Sequence, residues 1–466
     1  MKTDPTDNCA ALASLGITPL SRVIVVGLGV TGQSVVRYLL QQGIIPTVVD
    51  SRQQPPALDQ LRQDCQQQWS NLQIDTGTYA FDNLLTATHL IVSPGVSLKT
   101  PEIDQARISG VTILSDIDLF AAATSAPILA ITGSNGKTTV TTLVGRMIEC
   151  AGKKAAVGGN IGTPVLDLLQ ASKPDVYVLE LSSFQLEITS HLQPTAAVVL
   201  NLSADHMDRY DNLAAYTDAK ARIFNNTKVK IDNFHQPLQT LVGNTNHTTR
   251  NQRYFGLTDN TTCQFRIGLI DNIEWLIAYD QPLIKVSEIV MQGRHNLSNA
   301  LAALALVDAI NIQPSAAFAV LREFSGLPHR MENVRELHGV CWINDSKATN
   351  IGACKAALQG MSGRVLLIAG GDGKGADFSE LTATVEQTVS VLILLGKDAD
   401  QLQDTLLGST TIHRVTTIEQ AVNLAADMVQ TGDTVLLSPA CASLDQFENY
   451  QARGDAFKNA VMRLSP

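Results

Sequence analysis

Along the chain, short runs of β-branched and aliphatic residues alternate with stretches of helical period, the pattern of βαβ units and parallel sheets. Three segments restart it. The first opens on Arg22–Gly27, passes through an amphipathic stretch from Gln33 to Gln42 and reaches a second strand at Thr47–Asp50. The second opens on Pro127–Thr132, breaks at a glycine loop and continues as a helix through about Cys150, with further buried-type strands at Asp175–Glu180 and Ala197–Asn201. The third holds Val340–Asn344, Val365–Ala369, Val391–Leu395 and Thr434–Ser438 at helix-sized intervals, which predicts a small doubly wound sheet of its own. Boundaries are expected near residue 115 and at the Gly326-Leu327-Pro328 break, giving units at 1–115, 116–326 and 327–466. Residues 228–290, rich in Asn, Thr and Gln and carrying Phe255, Phe265 and Trp275, predict a strand-rich insertion without assigned chemistry.

Composition narrows the class. At 466 residues the chain exceeds one typical core. Hydrophobic residues at 45% and charged residues at 17%, with sparse aromatics, fit a soluble α/β enzyme. A formal net charge of -10 argues against a nucleic-acid partner, so an anionic ligand must be held by a few local cations and backbone N–H groups. Seven cysteines without a CxxC pair read as reduced thiols rather than disulfides or a zinc site. The acidic N-terminus lacks the marks of a signal peptide, and no apolar run is long enough to span a bilayer. The expectation is a cytoplasmic protein with no integral membrane contact.

The most chemical motif is Thr132-Gly133-Ser134-Asn135-Gly136-Lys137-Thr138-Thr139. A strand that turns through glycines into a helix presents unpaired N–H groups at the positive end of the helix dipole, a cradle for phosphate oxygens. Lys137 can reach the terminal phosphates and the Thr138 hydroxyl can ligate Mg²⁺. The full phosphate-loop pattern is not met, because Ile131 stands where its first glycine would. The alternative is a tight turn followed by a surface lysine.

Glu180 ends a strand and precedes Leu181–Glu187, a natural metal ligand or an acid near a helix start. Asp205-His206-Met207-Asp208-Arg209-Tyr210 follows the next strand, on the rim where open α/β sheets bind ligands. His206 is a candidate ligand or substrate contact, while Asp208 and Arg209 read as a local ion pair. Lys220, in a helical stretch, reads as a solvated lysine. Near the N-terminus, Gly27-x-Gly29-x-x-Gly32 with Asp50 ending the following strand is a dinucleotide fingerprint, and in isolation predicts an NAD-dependent enzyme.

Taken together, the chain resembles the Mur ligases of peptidoglycan synthesis. The resemblance rests on Gly27–Gly32, Ser93–Val96, Thr132–Thr139, Gly158–Gly162, Leu179–Glu187, Asp205–Tyr210, Gly293–Asn299, Gly326–Arg330, Asn344–Asn350, Gly370–Lys374 and Ser438–Phe447. The Asn344–Asn350 and Ser438–Phe447 runs are similar to those of the D-glutamate-adding branch. The likeness implies an N-terminal Rossmann-like unit, a central NTPase-like unit and a C-terminal Rossmann-like unit. It implies ATP-dependent amide formation between UDP-N-acetylmuramoyl-L-alanine and D-glutamate through an acyl phosphate, with two Mg²⁺ ions, by a monomer.

The same likeness implies residue roles. Lys137, Glu180, His206 and Lys220 would be catalytic, with Thr138, Glu180, His206 and a CO₂-carbamylated Lys220 around the metals. Gly133, Ser134, Asn135, Gly136, Lys137, Thr138, Thr139, Asn296, Asn299, Arg330, Asp345 and Lys347 would contact ATP. Val30, Thr31, Asp50, Ser51, Arg52, Gly95, Asn160, Ser182 and His206 would hold the UDP substrate, reusing the dinucleotide geometry. Thr349, Lys374, Ser443, Leu444 and Tyr450 would contact D-glutamate.

Overall fold

A computed structural model describes the protein over residues 5–56, 58–65, 72–77, 79, 81–170, 173–238, 251–291 and 293–465. Three sheets organise these residues. The first is fully parallel, with strands β1 (Val23–Val26), β2 (Thr47–Asp50), β3 (Ile74–Thr76), β4 (His89–Val92) and β5 (Thr112–Leu114) in the order β3-β2-β1-β4-β5. Strand β1 is Val-Ile-Val-Val and buried throughout, as a central parallel strand covered on both faces must be.

The second sheet carries the glycine loop. Its strands are β6 (Ile128–Thr132), β7 (Ala155–Gly159), β8 (Val176–Glu180), β9 (Ala196–Val199), β10 (Val229–Asn233), β11 (Gln252–Gly256), β12 (Phe265–Ile270), β13 (Ile273–Ala278) and β14 (Gln281–Lys285). They run in the order β14-β13-β12-β11-β10-β9-β6-β8-β7. The strand-rich stretch expected as an insertion is instead a continuation of this sheet: β10 pairs with β9 in parallel, and only β12–β13–β14 turn antiparallel. Phe255, Phe265 and Leu276 explain it, since they are buried in the core shared with the helix Arg294–Asp308. Trp275 stays partly exposed, with the Lys285 ammonium over its ring. Residues 239–250 of that stretch lie outside the described residues.

The third sheet comprises β15 (Glu332–Leu337), β16 (Val340–Asn344), β17 (Val365–Ala369), β18 (Val389–Leu394), β19 (Thr411–Arg414) and β20 (Thr434–Leu437), in the order β15-β16-β20-β17-β18-β19. All neighbours are parallel except the β15–β16 edge pair. The four runs read from the sequence are its strands β16, β17, β18 and β20.

The seams between the sheets differ in chemistry. One apolar cluster runs from Val25 and Val48 through Ile117 and Phe120 to Tyr177 and Leu179, so the first sheet is seated on the second by shared core. The third sheet has core clusters of its own, drawn from residues 340–461. It meets the second through polar side chains, the kind of interface across which units move.

Candidate active site

Strand β6 ends at Thr132 and the chain turns through Gly133–Gly136 into the helix Lys137–Cys150. Gly136 has φ +85°, and a Cβ there would lie 2.4 Å from Asn299 Oδ1, so only glycine lets the loop pack this closely. Asn299 therefore backs the loop, and its amide donates to Asn296 Oδ1 at 3.2 Å. From the end of β9, Asn201 clamps the loop backbone. Its Oδ1 accepts from the Asn135 N–H at 2.8 Å, and its Nδ2 donates to the Asn135 carbonyl at 3.0 Å. Lys137 Nζ folds back to donate to the Gly133 and Ser134 carbonyls at 2.8 and 2.9 Å. Desolvation lowers its pKa, with Glu180 and Asp205 opposing.

Glu180 stands at the end of β8, beside the loop and buried. Its Oε1 accepts from Asn160 Nδ2 at 2.8 Å, whereas Oε2 has no hydrogen-bond partner. A buried carboxylate oxygen left unpaired is costly unless something charged completes it. Thr138 lines the same cavity as Glu180, and its Oγ1 accepts from Arg330 Nη2 at 2.6 Å. One free carboxylate oxygen and one hydroxyl fit Mg²⁺, which keeps waters and takes its remaining ligands from phosphates rather than from an all-protein cage. Accordingly, no cluster of three His, Cys, Asp or Glu able to hold a metal occurs among the described residues.

Lys220 is not the solvated lysine expected. It is 2% exposed, and its Nζ donates to the Gly133 carbonyl at 3.0 Å, beneath the loop. Burial, then repulsion from Lys137, drives its pKa well below the usual lysine value. The supposed Asp208–Arg209 pair is also replaced. Arg209 pairs with Glu187 at 2.9 Å, lies 4.2 Å above the Phe184 ring and donates to the Pro94 carbonyl at 3.1 Å, tying the second sheet to the first. Asp208 is exposed, and the guanidinium goes instead to Glu187 on the helix Ser183–Ile188. His206, at φ +58°, packs its ring on Phe184 with centroids 4.8 Å apart. Burial lowers its pKa; Asp205 opposes the shift and Lys374 adds to it.

The third sheet closes the site from above. A cavity of about 640 Å³ is lined by the loop from Ser134 to Thr138, Asn160, Glu180, Ser182, His206 and Lys220, and by Arg330, Lys347, Thr349, Asn350, Lys374 and Tyr450 opposite. Lys374 Nζ lies 3.8 Å from Asp205, and Lys347 Nζ 4.1 Å over the Tyr450 ring. Burial first, then Arg330 and Lys137, lowers Lys347 to about 8. Asp345 sits behind the cavity, accepting from Ser438 Oγ at 2.9 Å and from the Met331 N–H at 3.2 Å, and burial raises its pKa to about 7. Ser443 is buried and Leu444 exposed, and neither lines this cavity; the preceding Ala442 bridges to Asp372.

A second cavity of about 620 Å³ opens on the first sheet. Val30, Thr31, Asp50, Ser51, Arg52, Gly95 and Asn160 line it, joined by Tyr79, which the sequence did not single out. The helix Val30–Gln41 begins here without a side-chain cap, leaving N–H groups for an anion. Asp50 lines this cavity with both oxygens already engaged, not free for the ribose that the NAD reading requires. Its Oδ2 accepts from the Leu28 N–H at 2.7 Å and its Oδ1 from the Arg52 N–H at 2.8 Å, while the Arg52 guanidinium takes both oxygens. Burial opposes its ionisation, but these hydrogen bonds outweigh burial and hold the carboxyl below its ordinary range. What the cavity receives is the Arg52 cation. The two cavities meet at Asn160 and Gly162, which line both.

Comparison with known proteins accounts for all three units. The Mur ligase MurD-like N-terminal domain matches residues 21–115, the Mur ligase middle domain 131–307, and the Mur ligase glutamate ligase domain 329–441. The chain belongs to the Mur ligase family. This Mur ligase is 47% identical over 451 residues to the UDP-N-acetylmuramoylalanine–D-glutamate ligase of Methylococcus capsulatus, covering 97% of this chain and 96% of that one. It is 48% identical to the enzyme of the same name from Marinobacter nauticus, covering 95% and 98%. Among solved structures, MurF ligase from Thermotoga maritima in complex with ADP superposes with a TM-score of 0.59 at 15% identity, over 95% of this chain and 96% of that one. The UDP-N-acetylmuramate–alanine ligase of the same organism gives 0.56 at 18%, over 95% and 99%. These two likenesses concern the fold.

Proposed function

We propose that this Mur ligase joins D-glutamate to UDP-N-acetylmuramoyl-L-alanine with ATP, giving ADP and phosphate, in peptidoglycan precursor synthesis. One observation carries the reading: a first-sheet cavity lined by Arg52 and an uncapped helix start runs into a cation-rich cavity on the second and third sheets, so a long nucleotide-linked substrate can be anchored in one and react in the other. The near full-length identity to ligases of that name supports it.

The chemistry follows from the groups present. A carboxylate is a poor electrophile, so its oxygen first takes the γ-phosphoryl group of ATP, and the acyl phosphate then accepts the D-glutamate amine with loss of phosphate. Lys137 is the cation aimed at the transferring group, and Arg330 and Lys347 neutralise charge from the opposite side. Thr138 and the free Oε2 of Glu180 would hold Mg²⁺, which when bound would supply neutralisation of phosphate charge. His206, neutral at physiological pH, meets the reacting carboxylate beside Ser182. Lys374, Thr349 and Tyr450 receive D-glutamate, with Ser443 and Leu444 beyond them. Val30, Thr31, Ser51, Arg52 and Gly95 hold the UDP end.

Lys220 is the candidate for a carbamate. Burial and the nearby Lys137 ammonium lower its pKa well below the usual lysine value, which favours the neutral amine; that amine adds to CO₂, forming an N–C bond and releasing one proton, and leaves a buried anion beside the metal site. No helix among the described residues is long and apolar enough to cross a membrane; we assign the enzyme to the cytoplasm as a monomer. Phosphate release measured with ATP, UDP-N-acetylmuramoyl-L-alanine and a panel of amino acids tests the function. Strict dependence on D-glutamate is expected, and turnover with L-lysine or diaminopimelate would overturn it.

A further inference from the structure

The polar seam between the second and third sheets carries a contact to which the phosphate chemistry above assigns no role. Asn350, from the third unit, caps the helix Ile351–Gln359 by accepting from the Ala353 N–H at 2.9 Å. The same side chain crosses the seam. Its Nδ2 donates to Asn135 Oδ1 at 3.2 Å while Asn135 Nδ2 donates back to Asn350 Oδ1 at 3.2 Å, a reciprocal amide pair, and Nδ2 also lies 3.2 Å from Asp205 Oδ2. Asn135 is the tip of the phosphate loop, already clamped from below by Asn201. The approach is close. A Cβ on Gly352 would lie 2.6 Å from Ser203 Oγ and 2.8 Å from Ser203 Cβ, so this helix start can reach the loop only with glycine at 352.

We propose that Asn350 is the positioning residue through which the third unit registers the phosphate loop: its amide pair with Asn135 latches the closed site, and Gly352 clears the path. The proposal rests on the ligase reading for its kinetic consequence but not for its structural one. Two amides facing each other satisfy both donors and both acceptors only in one relative position, so the pair sets alignment more than strength. A misplacement of about 1 Å between units that jointly hold ATP can cost on the order of 100-fold in rate. Asn350 lines the catalytic cavity, but its amide is already engaged by Asn135, Asp205 and the Ala353 N–H.

The test separates latch from cap. Asn350→Ser keeps a capping oxygen but is too short to reach Asn135. Its expected effects are a kcat lower by about 30-fold or more, an affinity for a non-hydrolysable ATP analogue changed by less than about threefold, and a larger radius of gyration by small-angle scattering without ligands. Asn135→Ala combined with Asn350→Ser should be no slower than the worse single variant. Gly352→Ala, which raises helix propensity, should keep or raise the melting temperature yet lose rate, and Ser203→Gly should restore much of it. Wild-type scattering and kcat in Asn350→Ser, or multiplicative effects in the double variant, would overturn the latch. A wild-type protein that fails to turn over D-glutamate overturns the ligase reading alone, because the scattering comparison needs no substrate.

Discussion

Replacing Lys137 with methionine separates what the lysine does for the fold from what it does for the reaction. In the folded protein its ammonium donates to two loop carbonyls, of Gly133 and Ser134. Gly133 keeps a second donor, Lys220 Nζ at 3.0 Å, so only the Ser134 carbonyl loses its partner. One unsatisfied acceptor costs about 1–3 kcal/mol. Removing a desolvated ammonium offsets part of that, because burial already disfavours the charge there. The expected net loss is about 1 kcal/mol, a fall of roughly 2–4 °C in melting temperature. Catalysis responds on another scale: loss of a charge aimed at the transferring phosphoryl group costs about 2.7–4 kcal/mol, or 10²–10³ in kcat. Lys137 does not line the cavity of the first sheet, so affinity for the UDP substrate should stay within about twofold of wild type. Phosphate-release kinetics, calorimetry with the UDP substrate and a thermal melt measure the three quantities. A variant that keeps more than about a tenth of wild-type kcat would refute the reasoning.

Other expectations follow from the buried charges. Asp116 is fully buried with an unpartnered Oδ1, and burial raises its pKa from 3.8 to about 7. The folded state then binds the extra proton, so its contribution is full below about pH 4 and lost as pH rises to about 7. Melting temperature should decline across that window in the wild type but less in Asp116→Asn, and parallel profiles would contradict the assignment. Lys347, lowered to about 8, loses its charge above that pH. The kcat/KM for ATP should fall above about pH 8, and Lys347→Arg should move that limb upward; an unmoved limb would exonerate the residue. Lys220→Ala should be inactive and partly restored by short carboxylic acids, whereas absence of rescue would count against the carbamate.

What the sequence made legible was whatever its chemistry announces locally. The glycine loop, Glu180 at a strand end and the strands of the third sheet all sit where apolar runs and glycines place them. Lys220 was illegible because its meaning is tertiary: a lysine in a helix becomes unusual only when the Gly133 carbonyl lies over it. Asn201 and Asn350 were missed for a related reason, since asparagine at a strand end or a helix start reads as an ordinary turn or cap. Asp50 illustrates the reverse case. Its position matched a ribose-binding acid, yet Arg52 two residues on engages both carboxylate oxygens and presents a cation instead. The stretch around β10–β14 was obscured by its polar composition, although Phe255 and Phe265 already marked the face that joins the central core.

The central claim is that a substrate carboxylate is phosphorylated before the amide forms. UDP-N-acetylmuramoyl-L-alanine labelled with ¹⁸O in its alanyl carboxylate tests it directly, by mass analysis of the phosphate released during a complete reaction with ATP and D-glutamate. The account predicts one ¹⁸O atom carried into each phosphate. Unlabelled phosphate accompanied by full product formation would contradict it.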